Sequence, residues 1–215
     1  MSFLAAFVMR GRMQAALVAF ALVFVSLFLH PLFKPFVIIV SFASVALFTL
    51  RKGALEGLYV LLYATVATAL LSGLLAADTM FSLMIAASCL TMWLPVWILA
   101  IVLRESRHLA LTIEIAVFIA ALGVIGFYLY AENPAFIWQQ TFEPLIELIP
   151  KDAHVDTEKL HEGINKISHY MTGVFAASSL FGLLFSLFLA RWWQSILYNP
   201  DGFKAEFLTL HTGTR

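Results

Sequence analysis

Residues 109–130 read LALTIEIAVFIAALGVIGFYLY, and long apolar segments of this kind indicate the fold class of the chain. This stretch contains a single charged side chain, that of Glu114, and its other residues are mostly apolar or small. A helix of this length rises about 33 Å, at about 1.5 Å per residue, which is enough to cross the roughly 30 Å hydrocarbon core of a bilayer. The stretch therefore predicts a transmembrane helix.

The composition of the whole chain supports the same prediction. Of the 215 residues, 62% are hydrophobic and 12% are charged, and the mean hydropathy is +0.92. A soluble domain carries about 25% charged residues, so much of the apolar surface of this chain is expected to face lipid. The net charge is zero, which gives no reason to expect a nucleic-acid partner. Cys89 is the only cysteine, so neither an intramolecular disulfide nor a Cys-based metal site can form.

Five further apolar blocks bring the number of predicted spans to six. The predicted spans are residues 13–29, 36–50, 54–77, 80–103, 109–130 and 168–190. The second block is short, but the link before it is also mostly apolar. Pro31 and Pro35 in that link break the helix, because proline lacks an N–H group and disfavours helix in the residue before it. The sequence predicts an all-α, polytopic membrane protein with a single membrane domain over residues 1–215.

Lysine and arginine are distributed unevenly between the short loops. They stand before the first predicted span and after the second, fourth and sixth, as Arg10, Arg12, Arg51, Lys52, Arg104, Arg107 and Arg191. Cytoplasmic loops of membrane proteins carry an excess of basic residues, so these span ends are predicted to be cytoplasmic. Both the N-terminus and the C-terminus then lie on the cytoplasmic side.

Two less apolar regions flank the last predicted span. Residues 131–167 form an outward-facing loop in this topology, and PAFIWQQTFEPLIELIP (134–150) mixes aromatic residues with acids, as in an amphipathic interfacial helix. The rest of the loop predicts a short helix with Asp156 as its N-cap. Residues 191–215 are predicted to be a cytoplasmic interfacial tail, with Trp192 and Trp193 in an aromatic belt and NPDG (199–202) as a turn.

Two blocks carry a family resemblance. The block ARWWQSILYNPDGFKAEF (190–207) and the block FVMRGRMQAALVA (7–19) are similar to the YybS-like family of uncharacterised bacterial integral membrane proteins. The resemblance implies a six-helix bundle distantly related to the substrate-binding S components of energy-coupling-factor transporters, in the bacterial cytoplasmic (inner) membrane. It implies no catalytic or ligand-binding residue.

Two features of the spans are candidates for a ligand-binding site. Glu114 lies about six residues, or about 9 Å, inside the fifth predicted span, and a carboxylate at that depth commonly marks a ligand, proton or partner site. The alternative is a carboxylate that snorkels or pairs with Arg107. Trp93 and Trp97 lie one turn apart, on either side of Pro95, and would suit the wall of a pocket for a flat organic ligand. The alternative is core packing around the proline.

Two other features are candidates for a partner-docking surface. Ala15 and Ala19 have the small-x-x-x-small spacing that lets helices approach closely in lipid. In transporter S components a pair of this kind on the first helix packs against the coupling subunit, so the resemblance implies docking, and ordinary packing is the alternative. Arg191, Trp192 and Trp193, together with the NPDG turn, are the second candidate surface.

Two smaller sets of residues carry weaker predictions. His154, His161 and His169 are spaced by seven and eight residues, which matches no metal-binding motif, so a solvated acidic face is predicted there and no metal site. Gly123 and Gly126, in the fifth span, are predicted to serve close helix packing.

Two hypotheses of function follow from these features. The first is a small-molecule-binding subunit of transporter type, with residues 131–167 as a lid over a site that opens outward. The second is a membrane scaffold or assembly factor for a partner complex, without transport activity. The sequence holds no nucleophile motif, Walker loop or dinucleotide fingerprint, so neither enzyme activity nor a cofactor is predicted. The expected partners are the lipid bilayer, a membrane protein and a small-molecule ligand.

Overall fold

The computed structural model describes residues 2–76, 79–147 and 157–198. Regular structure within these residues is α-helical throughout, which confirms the predicted all-α class. The helices are α1 (Ser2–Val8), α2 (Arg12–Phe28), α3 (Lys34–Lys52), α4 (Ala54–Ala76), α5 (Thr79–Ser106), α6 (Leu109–Tyr130), α7 (Pro134–Glu147) and α8 (Thr157–Tyr198).

Five of the described helices are long and apolar enough to cross a membrane. Their candidate spans are Lys34–Lys52, Ala54–Leu74, Ser82–Ser106, Leu109–Tyr130 and Lys159–Tyr198. The chain is therefore a multi-pass membrane protein, as its composition predicts. α2 is a shorter apolar helix of 17 residues. Its length, about 26 Å, lies at the lower limit for a membrane span.

α3 lies at the centre of the first of two compact units, which comprises Met1–Ala116 and Gly182–Arg215. It packs against α1, α2, α4 and α5, and residues 41–50 are all buried. Small side chains in this half of the helix, such as Ser41, Ala43 and Ala46, allow neighbouring helices to come close, which is how helices associate in lipid. A helix buried on every side fixes the positions of the helices around it.

The turn between α3 and α4 consists of Gly53 alone. Its φ of 112° lies in a region that glycine adopts without steric cost. The Gly53 N–H donates to the carbonyl oxygen of Thr49 over 2.9 Å. Nη1 of Arg104, at the end of α5, also donates to the carbonyl oxygens of Thr49 (3.3 Å) and Leu50 (3.4 Å). Arg104 thus satisfies carbonyl groups at the C-terminus of α3, where a cation also complements the helix dipole.

The first turn of α4 packs tightly against the last turn of α3. A β-carbon added at Gly57 would overlap the side chain of Thr49, so the two helices approach closely only because residue 57 is glycine. α5 contacts the same place, since the indole N–H of Trp97 donates to the carbonyl oxygen of Ala54 over 3.0 Å. The junction of α3 and α4 is therefore held by two side chains of α5, those of Trp97 and Arg104.

The second unit, Val117–Phe181, contains an aromatic cluster around Trp138 of α7. The centroid of the Trp138 ring lies 6.3 Å from that of Phe127 in α6 and 5.7 Å from that of Phe175 in α8. The Trp138 indole N–H donates to Oγ1 of Thr172 over 2.9 Å. One tryptophan therefore contacts the two helices that precede and follow α7 in the chain. The proposed cap Asp156 lies outside the described residues.

Gly123 and Gly126 do not have the packing role that the sequence predicts for them. Apart from the chain neighbours and the nearby backbone of α6 itself, no described atom lies within 4 Å of a β-carbon built at either position. The prediction that they serve close helix packing is therefore wrong for the part of the chain that the structure describes. Among the described glycines it is Gly57 that close packing requires, and no sequence pattern predicts this role.

We expect Gly57→Ala to lower the thermal unfolding midpoint of the protein in detergent. The added methyl group overlaps Thr49, and overpacking of this kind costs about 1–3 kcal/mol, which corresponds to several degrees. Gly126→Ala is the matched control, because it adds the same methyl group in open space where alanine is the better helix former. Equal falls in the midpoint for the two variants would contradict the close contact of α3 and α4.

Candidate functional site

Glu114 lies on the exposed side of α6. The buried residues of α6 are Leu109, Thr112 and Ala116, whereas Leu111 and Glu114 are exposed. At about 100° per residue the exposed positions lie on the opposite side of the helix from the buried ones. The carboxylate is therefore directed away from the side of α6 that carries its buried residues.

No ion pair or hydrogen bond joins Glu114 to any residue in the described ranges. Arg107, the intramolecular partner considered from the sequence, has a φ of 56° in the short link between α5 and α6 and forms no ion pair with Glu114. The structure thus places the carboxylate on an apolar helix surface without a partner from this part of the chain. Its role in ligand binding stays a prediction.

Trp93 and Trp97 both use their indole N–H groups inside the bundle. Trp93 is fully buried, and its N–H donates to Oγ of Ser41 over 3.3 Å. The Ser41 hydroxyl in turn donates to the carbonyl oxygen of Ala19 over 2.8 Å, so this chain of hydrogen bonds links α5, α3 and α2. Trp97 bonds to the start of α4, as described above. These contacts fit the packing alternative, and the ligand-binding role of both tryptophans stays a prediction.

Ala15 and Ala19 are both fully buried within the chain. They lie on α2, which packs against α3 and α4, and the bond from Ser41 reaches the backbone of Ala19. Two small side chains one turn apart allow this close approach. The burial fits ordinary packing within the bundle, and docking of a partner at this pair stays a prediction.

Arg191, Trp192 and Trp193 lie near the C-terminal end of α8 and differ in exposure. Trp193 is fully buried, and its indole N–H has no hydrogen-bond partner among the described atoms. Trp192 is exposed, and Nη1 of Arg191 donates to Oε1 of Gln194 over 2.6 Å. Of the three, Trp192 offers the most surface to a partner. The NPDG turn that completes the predicted docking surface lies outside the described residues.

The structure also shows an ion pair that the sequence analysis missed. Arg12, at the start of α2, makes two hydrogen bonds through Nε and Nη2 to the carboxylate of Glu56 in the first turn of α4. The guanidinium carbon of Arg12 also lies 4.7 Å from the centroid of the Tyr59 ring. The sequence placed both ends on the cytoplasmic side but gave no signal for this particular pair, since the two residues are 44 positions apart.

Contacts within the first unit gather five helix ends at one end of the bundle, here called the basic end. The pair of Arg12 and Glu56 joins the starts of α2 and α4, and Arg104 joins the ends of α5 and α3. The guanidinium of Arg51, at the end of α3, lies 4.1 Å from the ring centroid of Tyr198 at the end of α8. These are the helix ends that the sequence predicts to be cytoplasmic.

The histidines form no metal site with other side chains in the ranges that the structure covers. No group of three or more His, Cys, Asp or Glu side chains there is placed to hold a metal ion. His169 contacts the carbonyl oxygen of Asn165 through Nδ1 over 2.8 Å, and His161 is exposed on the same helix. His154 lies outside the described residues.

No family model, curated protein or solved structure matches this chain. The resemblance to the YybS-like family therefore rests on the two quoted blocks alone. The first block, residues 7–19, covers the end of α1 and the beginning of α2. The second, residues 190–207, begins in α8 and continues beyond the described part of the chain.

We expect Ser41→Ala to destabilise the protein more than Ser44→Ala does. Loss of the Ser41 hydroxyl leaves the buried N–H of Trp93 unpaired, which costs about 1–3 kcal/mol. Ser44 is a matched control, because it is also buried but its hydroxyl bonds to Val40 in its own helix, over 2.9 Å. The measurement is the unfolding midpoint of each variant in the same detergent. Equal destabilisation would show that the bond from Trp93 to Ser41 adds nothing specific.

Proposed function

We propose that this protein is a six-span subunit of a membrane complex in the bacterial inner membrane and that it acts by binding a partner membrane protein. The observation that carries the proposal is the carboxylate of Glu114, which is exposed and unpaired among the described residues on an apolar membrane helix. Partner binding is the central element of the scaffold or assembly hypothesis, and the transporter hypothesis requires it as well. Partner binding is the part of it that the described contacts support.

The arrangement of the helix ends supports six spans, with the N-terminus and the C-terminus of the chain both in the cytoplasm. The basic end holds the starts of α2 and α4 and the ends of α3, α5 and α8. Two residues separate the end of α5 from the beginning of α6, so α6 starts from the same end. Helices that alternate in this way cross the membrane in opposite directions, and the basic end faces the cytoplasm under the positive-inside rule. α2, the shorter apolar helix, adds one span to the five longer ones and brings the total to six.

The carboxylate, unpaired within the described ranges, distinguishes α6 from the other candidate spans, in which Glu56, Glu105 and Glu162 pair with Arg12, Arg104 and Lys166. Only Leu109, Thr112 and Ala116 are buried in α6, so most of the helix surface is available to lipid or to another protein. Exposed apolar side chains alone require only lipid. A charged side chain within a span is costly against lipid and commonly marks a functional contact. A partner that covers this face and offers hydrogen-bond donors removes that cost.

The transporter hypothesis draws its support from the family resemblance. Trp93 and Trp97 are the residues predicted to contact a ligand. Their indole N–H groups already donate hydrogen bonds, to Oγ of Ser41 and to the carbonyl oxygen of Ala54. A transporter S component also works with membrane partners, so partner binding is common to both hypotheses. The identity of the partner separates them.

Native mass spectrometry of the protein purified in a mild detergent tests the proposal. We expect a stoichiometric complex with at least one other membrane protein. An ATPase-containing partner complex favours the transporter type, and a partner without transport machinery favours the scaffold type. Recovery of the chain alone with lipids, or with a small molecule and no protein, under conditions that preserve other membrane complexes of the same cells would contradict the proposal.

A further inference from the structure

We infer that the partner contacts α6 with a transmembrane helix that carries a lysine or arginine at the depth of Glu114, and that this helix belongs to a different protein, not to a second copy of this chain. The inference rests on the proposed function and specifies the chemistry of the partner. It follows from the charge of Glu114, from the face on which it lies and from the arrangement of the described cations.

The face around Glu114 has the form of a helix-packing surface. Leu111, Val117, Phe118 and Ala121 are exposed on the same side of α6, at spacings of three, four and seven residues from Glu114. Ala121 is small enough to let another helix approach closely. The face therefore offers large apolar side chains, one small residue and a single carboxylate. A helix that packs on it brings one of its own side chains next to the carboxylate.

The charge determines which side chain can lie opposite. Packing a helix over Glu114 removes the carboxylate from any remaining water, and a charge in that position requires an opposite charge or several hydrogen bonds. A lysine or arginine supplies both, and a guanidinium matches a carboxylate with two parallel hydrogen bonds. Glu114 lies near the start of α6, so the basic side chain needs to reach only a short way from the cytoplasmic surface.

The described part of this chain does not provide that cation. Arg12 is bound to Glu56, and Arg104 is bound to carbonyl groups of α3. Arg107 lies before the first turn of α6 and forms no ion pair with Glu114. Within the described residues the carboxylate has no basic partner, and the inference assigns the complementary cation to another molecule.

Symmetry argues against a second copy of this chain. Two copies inserted in the same direction and related by a twofold axis normal to the membrane would place Glu114 opposite Glu114 of the other copy, at the same depth. Two carboxylates in an apolar environment repel each other strongly. A partner with a different sequence avoids this repulsion.

Site-specific photocross-linking in intact membranes tests the inference. A benzophenone amino acid replaces Phe118, one turn from Glu114 on the same face, or Val66, an exposed position of α4 that serves as the control. We expect an adduct with one other protein from position 118 and none with that protein from position 66. Mass spectrometry of the adduct then identifies the cross-linked helix and its basic residue.

Charge substitutions complete the test. We expect Glu114→Gln to lower the yield of the adduct on the order of tenfold or more, after correction for the amount of each variant in the membrane. Glu132→Gln is the control, because it neutralises an exposed glutamate just beyond the end of α6. Glu114→Lys combined with a change of the partner's basic residue to glutamate restores the yield that either change alone removes.

The outcomes separate this inference from the proposed function. An adduct with a partner that is insensitive to Glu114→Gln, or whose cross-linked helix has no basic residue, overturns the inference and leaves the proposed function in place. An adduct with a second copy of the chain also overturns the inference. Adducts with lipid alone from position 118 overturn the inference, and they overturn the proposed function as well only if native mass spectrometry recovers the chain without a protein partner.

Discussion

The first unit depends on the packing of α3 between its neighbours. Residues 41–50 are buried on every side, so each hydroxyl there needs a partner within the protein. Ser41 bonds to Ala19, Ser44 to Val40 and Thr49 to Val45. In a membrane no water is present to replace a lost bond, and an unpaired polar group costs several kcal/mol. Of these three bonds, the one from Ser41 joins α3 to another helix. The Ser41 hydroxyl also accepts a hydrogen bond from the indole N–H of Trp93.

The basic end also combines close helix packing with satisfied polar groups. Gly53 and Gly57 allow α4 to fold back directly onto α3, and Arg104 satisfies the carbonyl groups where α3 ends. The pair of Arg12 and Glu56 is partly exposed to solvent, and such pairs contribute little to stability. Its effect is positional, because it holds the starts of α2 and α4 together. The stability of this end comes from close packing more than from charge.

The sequence predicted the helices well because a membrane span requires only length and apolar composition. It could not predict which face of α6 carries Glu114, because that helix is apolar on nearly all sides and has no periodic pattern to read. It also missed the bond from Trp93 to Ser41 and the contact of Gly57 with Thr49, which join residues on different helices. The short helix predicted to lead into the last span is continuous with it in α8, and this helix of 42 residues is about twice as long as a bilayer core requires.

In the proposed topology, the basic end faces the cytoplasm and the helices alternate in direction from it. Cysteine labelling with a membrane-impermeant thiol reagent, in a Cys89→Ser background, tests this most directly. Cysteines at positions 32 and 132, in place of Leu32 and Glu132, should react in spheroplasts, in which the outer membrane has been removed and the inner membrane is still closed. Cysteines at Lys52 and Glu105 should react only after the inner membrane is opened. Labelling of positions 32 and 52 from the same side would contradict this topology, because α3 would then not cross the membrane.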